Sequence, residues 1–202
     1  MKHKLIESEK TGLPIELTKF LRDKLNINTF VETGTGLGRT AKIASELFDF
    51  VYTIEADKER WHYNIDQFKN INGAVCLFGE SPQKLKDLLN SFEKVFPDEI
   101  MCIFLDAHCS YREQVTNVAC PVLEEIKIIP NRHVIIIDDA HSFLNVHKVK
   151  KVMGIWPELT DVILALKERN NPYIIVDGKS IVTIPRELKS EVQEFMWRKN
   201  NA

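Results

Sequence analysis

Apolar and polar positions follow two rhythms along this chain. One is helical: Leu17, Phe20, Leu21 and Leu25 recur at three- and four-residue spacing after Pro14, which predicts a helix opened by proline. The other is the short apolar run. Residues 28–33, 50–56, 73–79, 100–107 and 133–140 read as five strands, and runs apolar at consecutive positions are buried on both faces, as in parallel sheets covered by helices. Between them lie amphipathic stretches at 39–48 and 58–68. A third opens with Ser81 as N-cap and Pro82 at the first helical position, and carries Leu85, Leu88, Leu89 and Phe92. Val118, Val122, Ile126 and Ile129 mark a further helix, and 157–169 another. Residues 172–184 read as two strands turning at Asp177-Gly178, and Leu188, Val192, Phe195 and Met196 close the chain with a helix. The expected fold is α/β: a doubly wound, mostly parallel sheet of seven strands with a C-terminal antiparallel hairpin.

Bulk properties narrow the function. A length of 202 residues fits one domain, taken as 1–202 with residues 1–26 as an N-terminal helical extension. The net charge of −2 argues against a nucleic-acid coat or a membrane-surface binder, which would be strongly basic. The local run His147-Lys148-Val149-Lys150-Lys151 could touch phosphate but reads first as a solvated helix face. The start lacks a signal-peptide h-region, and no apolar run is long enough to span a bilayer. Cys76, Cys102, Cys109 and Cys120 form no C-x-x-C pair. Free thiols, two of them in apolar runs, point to a reducing compartment, so a cytoplasmic location is expected.

In an open parallel sheet, ligands bind beyond the carboxyl ends of the strands. Polar residues gather at those ends. The first run ends in Glu32-Thr33-Gly34-Thr35-Gly36, with Gly38 following, and the second in Glu55-Ala56-Asp57. The third ends in Gly79-Glu80-Ser81, the fourth in Asp106-Ala107-His108-Cys109, and the fifth in Asp138-Asp139-Ala140-His141. Periodicity and residue type thus locate the same site independently. The glycines alone could serve a tight turn. Glu55, about twenty residues on, adds an acid able to accept from both ribose hydroxyls, which implies an adenosine cofactor. The loop reads G-T-G-L-G rather than G-x-G-x-x-G. Glu32 just ahead of it would repel a pyrophosphate and suit a cationic group, an amine or a sulfonium. No G-x-x-x-x-G-K-[ST] loop is present.

At these residues the sequence resembles the class I S-adenosylmethionine-dependent methyltransferases, which have a Rossmann-like fold. VETGTGLG is similar to their first motif, E/D-x-G-x-G-x-G, and Glu55 to their ribose-binding acid. LFGES resembles the third-strand end, where Glu80 and Ser81 would sit by the adenine. FLDAH resembles the fourth-strand motif, and PYIIVDGKSIVTI the closing hairpin. The resemblance spans roughly residues 28–185. It implies S-adenosyl-L-methionine held by Glu32, Thr33, Gly34, Thr35, Gly36, Gly38, Glu55, Ala56, Glu80, Ser81 and Asp106.

The acceptor end carries Asp106, Asp138 and Asp139, an arrangement similar to the metal-dependent O-methyltransferases. That resemblance implies Mg2+ or another divalent cation on these three carboxylates, lowering the pKa of a chelated hydroxyl. Strand-end acids also occur in this fold without metal. His108 and His141 are candidate general bases beside Asp106. Zinc on His108, Cys109, Cys120 and His141 fits no compact ligand spacing. Asp106-Ala107-His108 lacks the two prolines of amino-group methyltransferases. The expected activity is O-methylation of a small-molecule or sugar hydroxyl. The alternatives are an NAD(P)-dependent oxidoreductase and a non-catalytic interaction module. Acceptor contacts are expected from residues before 28 and from 109–116. A homodimer is compatible with the sequence.

Overall fold

Strands that are apolar at every position can be satisfied only between two helical layers, and that is where this chain puts them. The computed structural model describes residues 11–108, 119–144 and 156–201. Seven strands form one sheet: β1 (Thr29–Thr33), β2 (Phe50–Glu55), β3 (Ala74–Phe78), β4 (Met101–Leu105), β5 (Val134–Ile137), β6 (Tyr173–Asp177) and β7 (Ser180–Ile184). Their order is β3-β2-β1-β4-β5-β7-β6. The first five are mutually parallel, and β7 runs antiparallel to both β5 and β6. This is the doubly wound, mostly parallel sheet with an antiparallel hairpin that the pattern predicts.

The helices are α1 (Ile15–Leu25), α2 (Arg39–Ser45), α3 (Lys58–Phe68), α4 (Ser81–Val95), α5 (Val122–Ile128), α6 (Leu159–Lys167) and α7 (Lys189–Asn200). Successive strand residues point to opposite faces, so β4 divides its side chains between two cores. Met101, Ile103 and Leu105 pack with Leu85, Leu89, Ile126 and Leu166, on the face of α4, α5 and α6. Cys102 and Phe104 pack with Leu17, Leu21, Ala44, Phe68 and Val192, on the face of α1, α2, α3 and α7. Helix α1 is therefore part of the second core, with Leu17 fully buried.

Two expectations need correction. Strands β1, β4, β5 and β7 are buried throughout, but β3 and β6 are half-exposed because they are the sheet edges and lack one neighbour. The N-cap position of α4 is Glu80, which makes no side-chain cap bond, and not Ser81. Ser81 already sits in the first turn with Pro82, where a missing N–H costs no hydrogen bond. Val118, Cys109, the 109–116 loop and the His147–Lys151 run lie outside the described residues. Among the described residues, no helix is long and apolar enough to cross a membrane.

Candidate functional site

The strand order reverses between β1 and β4. From β1 the chain steps outward through β2 to β3, then returns to β4 and proceeds the other way. At such a switch point the connections leave in opposite directions and open a crevice at the carboxyl edge. The predicted polar strand ends border this crevice.

The glycine loop links β1 to α2, and its glycines serve different purposes. A side chain on Gly34 would meet the backbone of Asp106, with the Asp106 carbonyl oxygen 2.3 Å from the Cβ position. A side chain on Gly38 would meet Asn64 Oδ1 at 2.5 Å and the Phe68 ring at 2.8 Å. These two are glycine because protein packs against them. Gly36 has φ +54° and nothing within 4 Å of its Cβ position among the described residues, which leave its face open. The loop is tied to β2 by Gly34 N and Thr35 N, which donate to Ile54 O at 2.9 and 3.2 Å.

Glu55 stands at the end of β2 and is 6% exposed. Its Oε2 accepts from Gly36 N at 2.8 Å and its Oε1 from Asp57 N at 2.9 Å. The carboxylate is thus fixed by two backbone donors, and each oxygen retains lone-pair capacity for a further donor. Asp57 also caps α3 by accepting from Arg60 N at 2.8 Å.

Glu32 lies on the α2 face of β1 and is 1% exposed. Burial holds its carboxyl well above the usual carboxylate range, against the opposing hydrogen bonds of Thr53 and Thr40, while Asp106 and Glu55 push it up further. Thr53 Oγ1 donates to Glu32 Oε2 at 2.6 Å and stands 2.7 Å from Thr35 Oγ1. The single Thr53 proton is committed to Glu32, so Thr35 is the donor of the second bond. Glu32 therefore anchors the loop from beneath through Thr35–Thr53–Glu32. Against the expectation of a carboxylate facing a cationic ligand directly, Glu32 is buried with Thr53 of β2 and Thr40 of α2 as its hydrogen-bond partners.

The third-strand side is divided. Glu80 is exposed and Ala56 half-buried, whereas Ser81 is 6% exposed at the start of α4. Ser81 and Thr33, which is fully buried, bracket a residue that sequence patterning overlooks, Glu125 of α5. Glu125 is 1% exposed. Burial pushes its carboxyl up to about 7, although hydrogen bonds from Ser81 and Thr33 pull the other way. Its Oε1 has no partner among the described residues. Glu125 shares a narrow cavity of about 10 Å³ with Leu105, Ala107, His108, Cys120 and Phe143.

At the acceptor end, the Asp106 N–H is shared between Thr33 O at 3.0 Å and Thr33 Oγ1 at 3.3 Å, joining the ends of β1 and β4. His108 Nε2 lies 2.9 Å from Asp139 Oδ2 and 3.5 Å from Asp106 Oδ1. Burial disfavours charging His108, but the hydrogen bond to Asp139 and the Asp106, Asp139 and Asp138 charges outweigh it and raise its pKa. Asp139 is lowered in turn, chiefly by the bond from His108. The two form a hydrogen-bonded histidine–carboxylate pair in which Asp139 favours protonation of the imidazole. Burial, opposed by His108 and aided by Asp138 and Asp139, pushes Asp106 up to about 8. Asp138 is raised too, mainly by burial, and its Oδ1 accepts from Asp139 N at 2.6 Å. The segment ahead of α1 reaches this point: a side chain on Gly12 would fall 1.6 Å from Asp138 Oδ1, and Ser180 donates to Gly12 O. His141 is on the rim, 60% exposed, with Nδ1 3.8 Å from Asp139 Oδ1.

The divalent-cation expectation for Asp106, Asp138 and Asp139 does not fit this geometry. His108 fills the space between two of the acids, and Asp138 turns to a backbone N–H. Among the described residues, no group of three His, Cys, Asp or Glu side chains is disposed to hold a metal.

Two residues of the site were readable in principle. Glu125 lies three positions after Val122 and four before Ile129, a carboxylate inside an apolar stripe. Asn64 stands between Trp61 and Phe68 on the inward face of α3, and is fully buried.

No protein-family model matches the chain, and no curated protein matches it significantly. Solved structures do. A candidate methyltransferase from Thermobifida fusca superposes with a TM-score of 0.56 at 12% identity, over 88% of this chain and 70% of that one. A candidate methyltransferase from Streptococcus mutans, in complex with SAH, gives 0.53 at 13% identity, over 85% and 96%. DesVI from Streptomyces venezuelae gives 0.51 at 8% identity, over 84% and 89%. With the strand order and crevice described above, the chain has the Rossmann-like fold of the class I methyltransferases.

Proposed function

We propose that this protein is an S-adenosylmethionine-dependent methyltransferase that O-methylates a small-molecule or sugar hydroxyl. The observation that carries the reading is the pairing of an open Gly36 with Glu55 at the switch-point crevice. Gly36 is the loop glycine with clear space above it, and its N–H orients a carboxylate suited to a ribose diol. The SAH-bound Streptococcus mutans neighbour supports the choice of cofactor. Around the cofactor, Thr33, Gly34, Thr35 and Gly38 shape the loop, Glu32 braces it from below, and Ala56, Glu80 and Ser81 border the adenine side.

Bound in this crevice, S-adenosylmethionine would supply an electrophilic methyl, which an acceptor oxygen would take as the S–CH₃ bond breaks and S-adenosylhomocysteine leaves. The hydroxyl proton must leave. With Nε2–H donating to Asp139, Nδ1 is the nitrogen of His108 free to take that proton, and Asp139 stabilises the resulting imidazolium. Burial, which pushes the Asp106 carboxyl up to about 8, disfavours a second negative charge beside the pair. Because the pKa of His108 is raised, the rate rises with pH through that raised value. His141, on the rim, has the less favourable position.

The test is calorimetry and thermal melting with S-adenosylhomocysteine and with NAD. Stabilisation by the first alone, lost in Glu55→Ala, is expected. Stabilisation by NAD alone replaces this reading with a dehydrogenase. Magnesium should give no saturable heat; saturable binding weakened by Asp138→Ala would restore the cation.

A further inference from the structure

Asn64 is an unusual residue for the middle of α3. Asparagine is a poor helix former, and complete burial of its amide demands partners. It has them on one side. Nδ2 donates to Arg60 O, one turn back, at 2.9 Å and to Gly36 O, across in the glycine loop, also at 2.9 Å. The first bond fixes the side chain against its own helix, and the second carries that rigidity to the loop. Oδ1 is buried with no partner among the described residues, and it occupies the space that a side chain on Gly38 would need. Residue 36 is thereby held at both ends. Its carbonyl is held by Asn64 and its N–H by Glu55, whose other oxygen is held by Asp57 N.

We infer that Asn64 is a positioning residue of the cofactor site: it sets Gly36 from behind, so that the open face of Gly36 and the Glu55 carboxylate are presented together to the adenosine moiety. This deepens the methyltransferase reading and rests on it. The physical reason is local. Gly36 is free on the side a ligand would approach and has a soft backbone, so without Asn64 its peptide can rotate and release Glu55. Asn64 touches neither ligand nor reacting atoms in this account; it acts through Gly36.

The experiment compares the wild-type chain with Asn64→Ala and Asn64→Asp, which both remove the donor, and with Leu89→Ala. Leu89 is buried in the core on the opposite face of the sheet, so that control lowers stability without touching the loop. Two readouts are taken: the Kd for S-adenosylhomocysteine, and the exchange rate of the Gly36 amide in ligand-free protein. For either donor-deleted variant, affinity should fall about tenfold, the equivalent of one net hydrogen bond, and Gly36 exchange should speed up by a similar factor. Leu89→Ala should change neither. Wild-type binding that both Asn64 variants leave intact would overturn this inference alone, as would equal weakening in Leu89→Ala. A wild-type chain that binds no S-adenosylhomocysteine would overturn the methyltransferase reading and this inference with it.

Discussion

Replacing Gly36 by alanine separates folding from binding more cleanly than any other change in the loop. The new methyl meets no atom of the described residues within 4 Å, so the folding cost is the left-handed backbone alone. At φ +54° that is about 1–2 kcal/mol for a residue with a Cβ. In a chain of this size, melting should fall by about 2–8 °C. The methyl projects into the open space assigned to the cofactor, so binding should suffer far more. The expected loss of S-adenosylhomocysteine affinity is on the order of 100-fold, or about 2.7 kcal/mol. Gly34→Ala is the contrast. Its methyl would overlap the Asp106 carbonyl at 2.3 Å, backbone against backbone, so β1 and β4 must part and stability itself collapses. Differential scanning fluorimetry gives the first quantity and isothermal titration calorimetry the second. If Gly36→Ala melts slightly lower yet binds as tightly as the wild type, no ligand lies over Gly36 and the reasoning fails.

Three further outcomes follow from buried groups. Glu125 titrates near 7 when folded, against about 4.3 when unfolded. The folded chain thus holds the extra proton between these values, and the stabilisation this confers is complete below about pH 4 and is lost as pH rises to about 7. Glu125→Gln should remove up to about 4 kcal/mol of that pH dependence, and a variant with the wild-type melting profile over pH 4–7 would refute it. Arg169 donates to the carbonyls of Ile126, Ile129 and Pro130 at the end of α5. Arg169→Met should cost about 3 kcal/mol by orphaning them, visible as a melting drop of about 6–12 °C; a drop under about 2 °C contradicts this. Burial pushes the Cys76 thiol up to about 11 and Cys102 higher still. Both should resist iodoacetamide at pH 8 until the protein is unfolded, and native-state alkylation at Cys76 would show the strand edge to be open.

The sequence by itself determined the strands, the helices that alternate with them and the hairpin, because each is written in a local period that burial enforces. It also determined which edge of the sheet the polar strand ends share, since in a parallel sheet the carboxyl edge follows from chain direction alone. Element ends shifted by a few residues, as with β5, which ends at Ile137 before the predicted acidic pair. The tertiary structure decided what each polar residue does there. Glu32 became an internal anchor because β2 brought Thr53 opposite it. Of the three acids that the family resemblance grouped as metal ligands, Asp106 and Asp139 have His108 between them, its imidazole nearer Asp139. Helix rotation put Glu125 beside the strand-end cavity and Asn64 behind the glycine loop, and rotation depends on packing against both faces of the sheet. Of three glycines identical in sequence, packing left only Gly36 facing open space, since that distinction depends on which neighbours the fold brings against each one.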